Sequence, residues 1–337
     1  LGIQSSVAGV PSRQFQQIQQ YQMIVSENPS ATNQDKAELA EVLKGQKIQA
    51  YQKIYSKTLD KDFKGKAGLQ TITLMMTEKE DLTPFIHLQH HQQELILKDG
   101  VVITAKLAQL ADVKVGQTLE IEGKELKVVA IAENYVGHFI YMSQASYEQI
   151  YGQLPQDNTY LVSLRDASAT SIERQAGLLM NQSAVSSVVQ NASAIRLFDS
   201  VASSLNQTMT ILVIVSVLLA IVILYNLTNI NVAERIRELS TIKVLGFHNN
   251  EVTLYIYRET IVLSLVGIVL GLAAGFYLHQ FLIQMISPAT ILFYPQVGWE
   301  VYAIPVAAVS TILTLLGFFV NYHLRKVDML EALKSVE

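Results

Sequence analysis

The feature that most constrains this chain is a stretch between Asp199 and Glu234 that carries no charged side chain. Its centre, residues 208–227, is apolar and long enough to cross the roughly 30 Å hydrocarbon layer of a membrane as a helix. Similar runs begin near Thr260 and Val301. Because these runs are apolar on every face and longer than usual core helices, we predict that they are transmembrane helices. They are expected at about 205–230, 258–286 and 301–324.

The residues before the first apolar run have a different composition, rich in Gln, Lys, Asp and Glu. Residues 1–66 favour helix, so we predict a mainly helical segment whose Gln side chains form a solvated face. From 67 to 199, short β-branched or alternating runs stand between turn signals, which predicts a mixture of strands and helices. The expected architecture is an extracytoplasmic α+β domain over 1–199 and an α-helical membrane domain over 200–337.

The composition excludes several classes of site. The net charge of −4 indicates no particular partner, and no segment resembles a nucleic-acid-binding surface. The chain has no cysteine, so disulfides, cysteine-based zinc sites and thiol catalysis are excluded. No GxxxxGK[ST] loop occurs, and no Ser/His/Asp arrangement or paired carboxylates stand in a recognisable setting. We therefore predict that this chain is not an enzyme.

The sequence HLQHHQQE brings His87, His90, His91 and Glu94 close together. On a helix, three of these side chains would share a face, as metal ligands do. Read as two strands, FIHLQ and ELIL, joined by HHQQ, the same sequence is a polar hairpin that separates the imidazoles. The hairpin fits the flanking runs better, so no metal ligand is assigned.

A charged segment, residues 231–250, separates the first two apolar runs. Its charged residues include Glu234, Arg235, Arg237, Glu238 and Lys243. Its Arg and Lys side chains would cost on the order of 8–10 kcal/mol inside a bilayer, since each costs roughly 2.5–3.5 kcal/mol at a helix centre. The segment therefore lies outside the membrane.

Read as a helix, the charged segment is amphipathic. Its apolar residues at three-residue spacing are Ile236, Leu239, Ile242 and Leu245, and Gly246 supplies a stop. Acidic and basic residues are interspersed on the remaining surface, which favours docking to a protein. The alternative is a helical linker resting on the lipid headgroups, but such helices usually have a basic polar face.

The placement of Lys and Arg predicts the orientation in the membrane. The charged segment and the C-terminal tail contain both residue types, whereas residues 287–300 contain neither. The positive-inside tendency therefore places segment 231–250 and the C-terminus in the cytoplasm and residues 1–199 outside, in a multi-pass plasma-membrane protein. An outer domain that precedes the first of three spans needs a segment to carry it across. We therefore expect a further membrane helix upstream.

The second apolar run contains Gly267, Gly271 and Gly275 at four-residue spacing. Such a stripe lets the backbone of another helix approach closely, which predicts a helix-packing surface. The alternative is that glycine is simply common in membrane helices.

No Asp, Glu, Lys or Arg lies inside any of the three apolar runs. The absence of charged side chains from these runs argues against an ion-coupled transporter.

The sequence RIRELSTIKVLGF, followed by a capped helix and the glycine-repeat span, resembles the FtsX/MacB-type permease domain of ABC transporters. The ending LRKVDMLEALKSVE is similar to the closing motif of that family, and residues 100–135 resemble its MacB-like extracytoplasmic domain. The resemblance covers roughly residues 94–337. It implies contact with a separate nucleotide-binding subunit through six positions: Arg235, Arg237, Glu238, Leu239, Lys243 and Gly246.

The resemblance implies a permease subunit whose complete unit has four spans. A cytoplasmic ABC ATPase would bind ATP and Mg, and this chain would bind no cofactor. Further implied partners are a second permease unit (a homodimer or the other half of a longer chain), the lipid bilayer, and an extracytoplasmic accessory protein. ATP hydrolysis would move the outer domain by mechanotransmission, with residues 199–207 in the stalk.

The size of the outer domain favours export or removal of a peptide-like or lipophilic substrate. Regulation of a cell-wall hydrolase is the alternative within the same class. A membrane-anchored scaffold or adhesion protein without an ATPase is the alternative from another class.

Overall fold

The structure is a computed structural model that describes residues 2–63, 65–78, 82–90, 93–235, 238, 242, 245, 249–293 and 297–326. The contacts within the chain divide it into two compact units. The sheet unit consists of Ser6–Ala202 together with Ile286–Tyr294, and the helix unit contains the remaining described residues. The segment Ile286–Tyr294 therefore belongs to the sheet unit, although it lies far from the other residues of that unit in sequence.

The sheet unit combines strands with short helices. Its strands are β1 Met23–Glu27, β2 Ile48–Phe63, β3 Gly68–Thr77, β4 Gln89–His90, β5 Gln93–Glu94, β6 Val101–Thr104, β7 Thr118–Ile121, β8 Lys124–Ala132, β9 His138–Ser143, β10 Thr159–Leu164 and β11 Val185–Gln190. The helices of the whole chain are α1 Gly2–Ala8, α2 Val10–Ser12, a π-helix at Arg13–Ile18, α3 Asn33–Leu43, α4 Ala105–Ala111, α5 Gln144–Tyr151, α6 Ala169–Met180, α7 Asn191–Glu234, α8 Asn249–Ile286 and α9 Glu300–Lys326. This confirms the predicted α+β class.

Nine of these strands form one mixed sheet in the order β11-β1-β10-β2-β3-β9-β6-β8-β7. Neighbouring strands are antiparallel except for the pairs β3–β9 and β6–β8, which are parallel. The long strand β2 connects the two halves, because its residues 48–54 pair with β10 and its residues 55–63 pair with β3.

Each half of the sheet has its own hydrophobic core, and β2 contributes to both. Ile48 packs in the cluster formed by β1, β10, α3 and α6. Leu59 and Phe63 pack in the cluster formed by β3, β6, β8, β9 and the helices α4 and α5. The strand β2 is therefore stabilised at both ends by the burial of its apolar side chains.

The prediction that residues 1–66 are mainly helical is wrong for Met23–Glu27, which form β1, and for Ile48–Phe63, which form β2. Residues 48–63 favour helix by local composition, but they form β2, with Ile48, Ile54, Leu59 and Phe63 buried. Burial against two cores outweighs a helix preference that amounts to only tenths of a kcal/mol per residue. The helices α1, α2 and α3 and the π-helix match the helical prediction for residues 1–66, and α3 begins with a capping box formed by Thr32 and Asp35.

The polar hairpin predicted for HLQHHQQE is present in a shortened form, because β4 and β5 have two residues each and pair antiparallel. His91 lies outside the described residues. Within the part of the chain that the structure describes, no group of three His, Asp or Glu side chains is arranged to hold a metal ion.

Three helices, α7, α8 and α9, are long and apolar enough to cross a membrane by their length and composition. The prediction of three such helices is confirmed. The first of them begins earlier than expected, since α7 runs without interruption from Asn191, in the sheet unit, to Glu234.

Candidate functional site

The ends of α7 and α8 that flank the charged segment are joined by polar contacts. Arg235 Nη2 donates a hydrogen bond to Glu259 Oε2 at 2.6 Å, and both side chains are partly exposed. Asn231 Nδ2 donates to Thr260 Oγ1 at 3.4 Å one turn away. These contacts fix the point at which the chain leaves α7 for the charged segment.

The structure describes only two of the six predicted ATPase-coupling residues. Arg235 takes part in the ion pair above, and Glu238 is exposed. The other four, Arg237, Leu239, Lys243 and Gly246, lie outside the described residues. The role of this set in ATPase coupling stays a prediction.

A small buried cluster packs the three long helices together. Its centre is Tyr257 of α8 with Ile312, Leu316 and Val320 of α9. The Tyr257 hydroxyl donates to the Leu313 carbonyl at 3.0 Å. Ile242 of the charged segment packs against the same cluster.

The glycine stripe lines an apolar groove of about 900 Å³ between α7, α8 and α9. Gly267, Gly271 and Gly275 all contribute to its wall. A Cβ atom built on any of the three would meet no other described atom within 4 Å. The stripe is therefore open along the groove, as a surface for close helix packing requires.

In the sheet unit, a buried amide network connects the π-helix to the turn between β8 and β9. Gln14 Nε2 donates to Asn134 Oδ1 at 2.8 Å. Gln14 Oε1 accepts from the backbone N–H of Tyr135 at 2.8 Å and of Val136 at 3.2 Å. Asn134 Nδ2 donates in turn to the carbonyls of Val136 and Gly137. Gln14 and Asn134 are both buried, so the network satisfies polar groups that water does not reach.

The same turn also binds part of the segment between α8 and α9, and we call residues 286–293 loop 286–293. The Gly137 N–H donates to the Thr290 carbonyl, and the Leu292 N–H donates to the Tyr135 carbonyl, each at 2.8 Å. Between these bonds, Val136 and Ile291 form an antiparallel bridge. We call this arrangement of Gln14, residues 134–137 and residues 290–292 the clasp.

The clasp was not predicted from the sequence. The Gln-rich start of the chain was expected to expose its side chains, but Gln14 and Gln19 are buried. Glutamine is suited to both environments, since it can donate and accept hydrogen bonds with water or with a buried backbone. The only local signal was Asn134, a turn-forming residue directly after a strand pattern.

These features define a membrane protein in which a folded α+β unit and three candidate membrane helices share one chain, and comparison with known proteins gives its class. Residues 210–329 match the family described as FtsX-like permease C-terminal. This range includes most of α7, the charged segment, α8 and α9. The C-terminal part of the chain is therefore an FtsX-like permease domain, and the resemblance found in the sequence is confirmed there.

The structure is also similar to two solved outer domains of transporters. One is the crystal structure of the periplasmic region of MacB from Actinobacillus actinomycetemcomitans, with 11% identity, 54% of this chain and 94% of that chain covered, and a TM-score of 0.31. The other is the crystal structure of the extracellular domain of the noncanonic ABC-type transporter YknZ from Gram-positive bacteria, with 14% identity, 50% and 98% covered, and a TM-score of 0.30. No curated protein matches this chain.

Proposed function

We propose that this chain is the permease subunit of an ABC transporter that couples ATP hydrolysis by a separate cytoplasmic ATPase to movement of the sheet unit outside the membrane. The observation that carries the proposal is that the sheet unit is connected along the chain to all three long helices. The helix α7 continues without interruption from Asn191 into the first candidate span. Loop 286–293, which connects α8 to α9, is hydrogen-bonded into the sheet unit through the clasp.

These two connections support mechanical coupling, because they involve all three long helices. A displacement of α7 reaches the sheet unit through a continuous helical backbone. A displacement of α8 or α9 reaches it through loop 286–293 and the paired backbone bonds of the clasp. The permease therefore needs no substrate path through the bilayer to do work on the outer side.

The charged segment is the proposed docking site for the ATPase, on the cytoplasmic side with the C-terminus. Glu238 is exposed and available to a partner, while Arg235 is paired with Glu259. The pair aligns the start of the segment with α8. The partner ATPase would bind ATP and Mg. Those of the six predicted residues that contact the ATPase would transmit its conformational change to the permease.

The open glycine stripe is the proposed packing surface for a further membrane helix, either from upstream in this chain or from a second permease unit. The groove is apolar and its glycines leave room for a close backbone approach. Changing Gly271 to Leu fills this space and is expected to weaken assembly in native membranes. Ala273→Leu adds a similar side chain to the same helix outside the groove and serves as the matched control.

For the transported material, we propose a peptide-like or lipophilic substrate that the moving outer domain exports or removes. The same coupling suits the regulation of a cell-wall hydrolase, which is the second candidate within the class. Both require an ATPase, and a membrane-anchored scaffold does not.

The ATPase requirement is tested by purifying the protein in mild detergent from its native membrane. Wild type is compared with Glu238→Arg and with Glu148→Arg, a charge reversal at an exposed position of α5. We expect a nucleotide-binding subunit to accompany wild type and Glu148→Arg and to be lost with Glu238→Arg. Recovery of no ATPase with wild type, under conditions that preserve other ABC complexes, would favour the scaffold and contradict the proposal.

A further inference from the structure

His138 lies next to the clasp and has an unusual environment for a histidine. It is the first residue of β9, directly after Gly137, and only 2% of it is exposed. Neither ring nitrogen, Nδ1 or Nε2, has a hydrogen-bond partner among the described residues. A neutral imidazole carries one donor and one acceptor, so this burial leaves both groups unsatisfied. Such a side chain is tolerated in its neutral form and strongly disfavoured as a cation.

The charged neighbour of His138 is Lys106 of α4. Burial lowers the pKa of His138, and the positive charge of Lys106 lowers the pKa further. Burial also lowers the pKa of Lys106 itself. An imidazolium at this position would therefore face a second cation in a poorly solvated place.

No carboxylate on β3, β6, β9, α4 or the described part of loop 286–293 offsets that repulsion, and the one carboxylate of the turn between β8 and β9, Glu133, belongs to a residue whose backbone N–H donates to the Gln89 carbonyl outside the clasp. His138 is paired with Ile72 of β3, and the next residue, Phe139, donates its N–H to Thr104 at the end of β6. The sequences of β3, β6 and loop 286–293 contain no Asp, Glu, Lys, Arg or His in their described residues, and β9 adds only Tyr141. Lys106 is thus the one charged group on these elements and α4.

Lys106, whose charge acts on His138, also contacts loop 286–293. Its Nζ donates to Ser287 Oγ at 3.3 Å, and Ser287 Oγ donates to the Ile291 carbonyl at 2.6 Å. Ile291 is the residue that bridges to Val136 in the clasp. A change in the position or hydration of Lys106 therefore reaches the segment that the clasp holds.

We propose that His138 makes the clasp acid-sensitive, so that protonation of its ring below neutral pH releases loop 286–293 from the turn between β8 and β9. In the released state the ring, which directly follows Gly137 of the clasp, becomes accessible to water. Release would disconnect α8 and α9 from the sheet unit while leaving the connection through α7 intact.

The sign of the effect follows from proton linkage. The pKa of His138 is lowered in the closed clasp and returns toward its ordinary value, about 6.5, once the ring is solvated. The open state therefore binds more protons, and the contribution of His138 to closure is present above that pH and is lost as the pH falls below it. One pH unit below 6.5, the open population is expected to increase by up to about tenfold.

The test is hydrogen exchange of the full chain in detergent at pH 7.5 and pH 5.5, with each amide corrected for its intrinsic exchange rate. The reporters are the Gly137 and Leu292 N–H groups, whose acceptors lie across the clasp. We expect their protection in wild type to be lower at pH 5.5 than at pH 7.5, by up to about tenfold, and to be independent of pH in His138→Gln. His87→Gln, at a half-buried histidine of the same unit, should respond as wild type does.

Equal protection at the two pH values in wild type would overturn the proposal, and so would an unchanged response in His138→Gln. If His138→Gln does not fold, Lys106→Met provides the decisive comparison. Removing the ammonium weakens the repulsion, so the acid response should become smaller than in wild type. A response of the same size in Lys106→Met would refute the pairing on which the proposal depends.

Discussion

Replacing Gln14 by Met tests whether the buried amide network holds the clasp together. Methionine has nearly the same length and volume as glutamine, so the change removes hydrogen bonds with little change in packing. Gln14 is fully buried and makes three hydrogen bonds, one to Asn134 Oδ1 and two to backbone N–H groups. In the variant, these three partner groups lose the hydrogen bonds that they make with Gln14.

The magnitude follows from the burial of those partners. Asn134 and Tyr135 are buried, so Asn134 Oδ1 and the Tyr135 N–H lose their partner away from water, whereas Val136 is half-buried and can be hydrated. Each buried group left unsatisfied costs about 1–3 kcal/mol, so the clasp should lose about 2–6 kcal/mol. Since about 1.4 kcal/mol is a factor of ten, even the lower limit raises local opening more than tenfold.

The assay is hydrogen exchange at the Leu292 amide, because its acceptor, the Tyr135 carbonyl, belongs to the turn that Gln14 supports. The matched control is Gln17→Met, the same change at an exposed position of the same π-helix. Exposed substitutions usually change stability by less than about 0.5 kcal/mol. Exchange at Leu292 within threefold of the control would refute the assignment of the network as the support of the clasp.

Three further predictions concern the Glu27 ion pair, the start of α3 and the clasp. Lys53→Met should destabilise it by about 2–3 kcal/mol in thermal or urea unfolding, because Glu27 is buried and loses an ion pair of 2.7 Å. Adding Glu27→Gln should recover most of that loss, and a double variant no better than Lys53→Met would contradict this. Thr32→Ala should cost about 1 kcal/mol by removing the capping box of α3, and an unchanged unfolding midpoint would show that the cap does not contribute. Val136→Cys with Ile291→Cys should form a disulfide readily in this cysteine-free chain, since the two residues bridge directly, and the oxidised form should lose the acid response proposed for His138.

The sequence determined the three candidate membrane helices of this protein. Transfer of a helix into a bilayer depends on the sum of its own side chains, so the absence of charge between Asp199 and Glu234 is decisive without any knowledge of the fold. The same additive reasoning predicts that the charged segment lies outside the membrane. The α+β class was likewise readable, because a change from helical to alternating periodicity is a local property.

The tertiary structure decided which polar residues of the outer part are buried and what they hold. Residues 48–63 became a strand because two cores bury its apolar side chains, against a weak local preference for helix. Gln14 became a structural residue through Asn134, which lies 120 positions away, and loop 286–293 joined a sheet unit whose other residues end at Ala202. Hydrogen bonds of this kind depend on where distant segments meet in space. A glutamine in the sequence carries no sign of whether its partner will be water or a buried backbone.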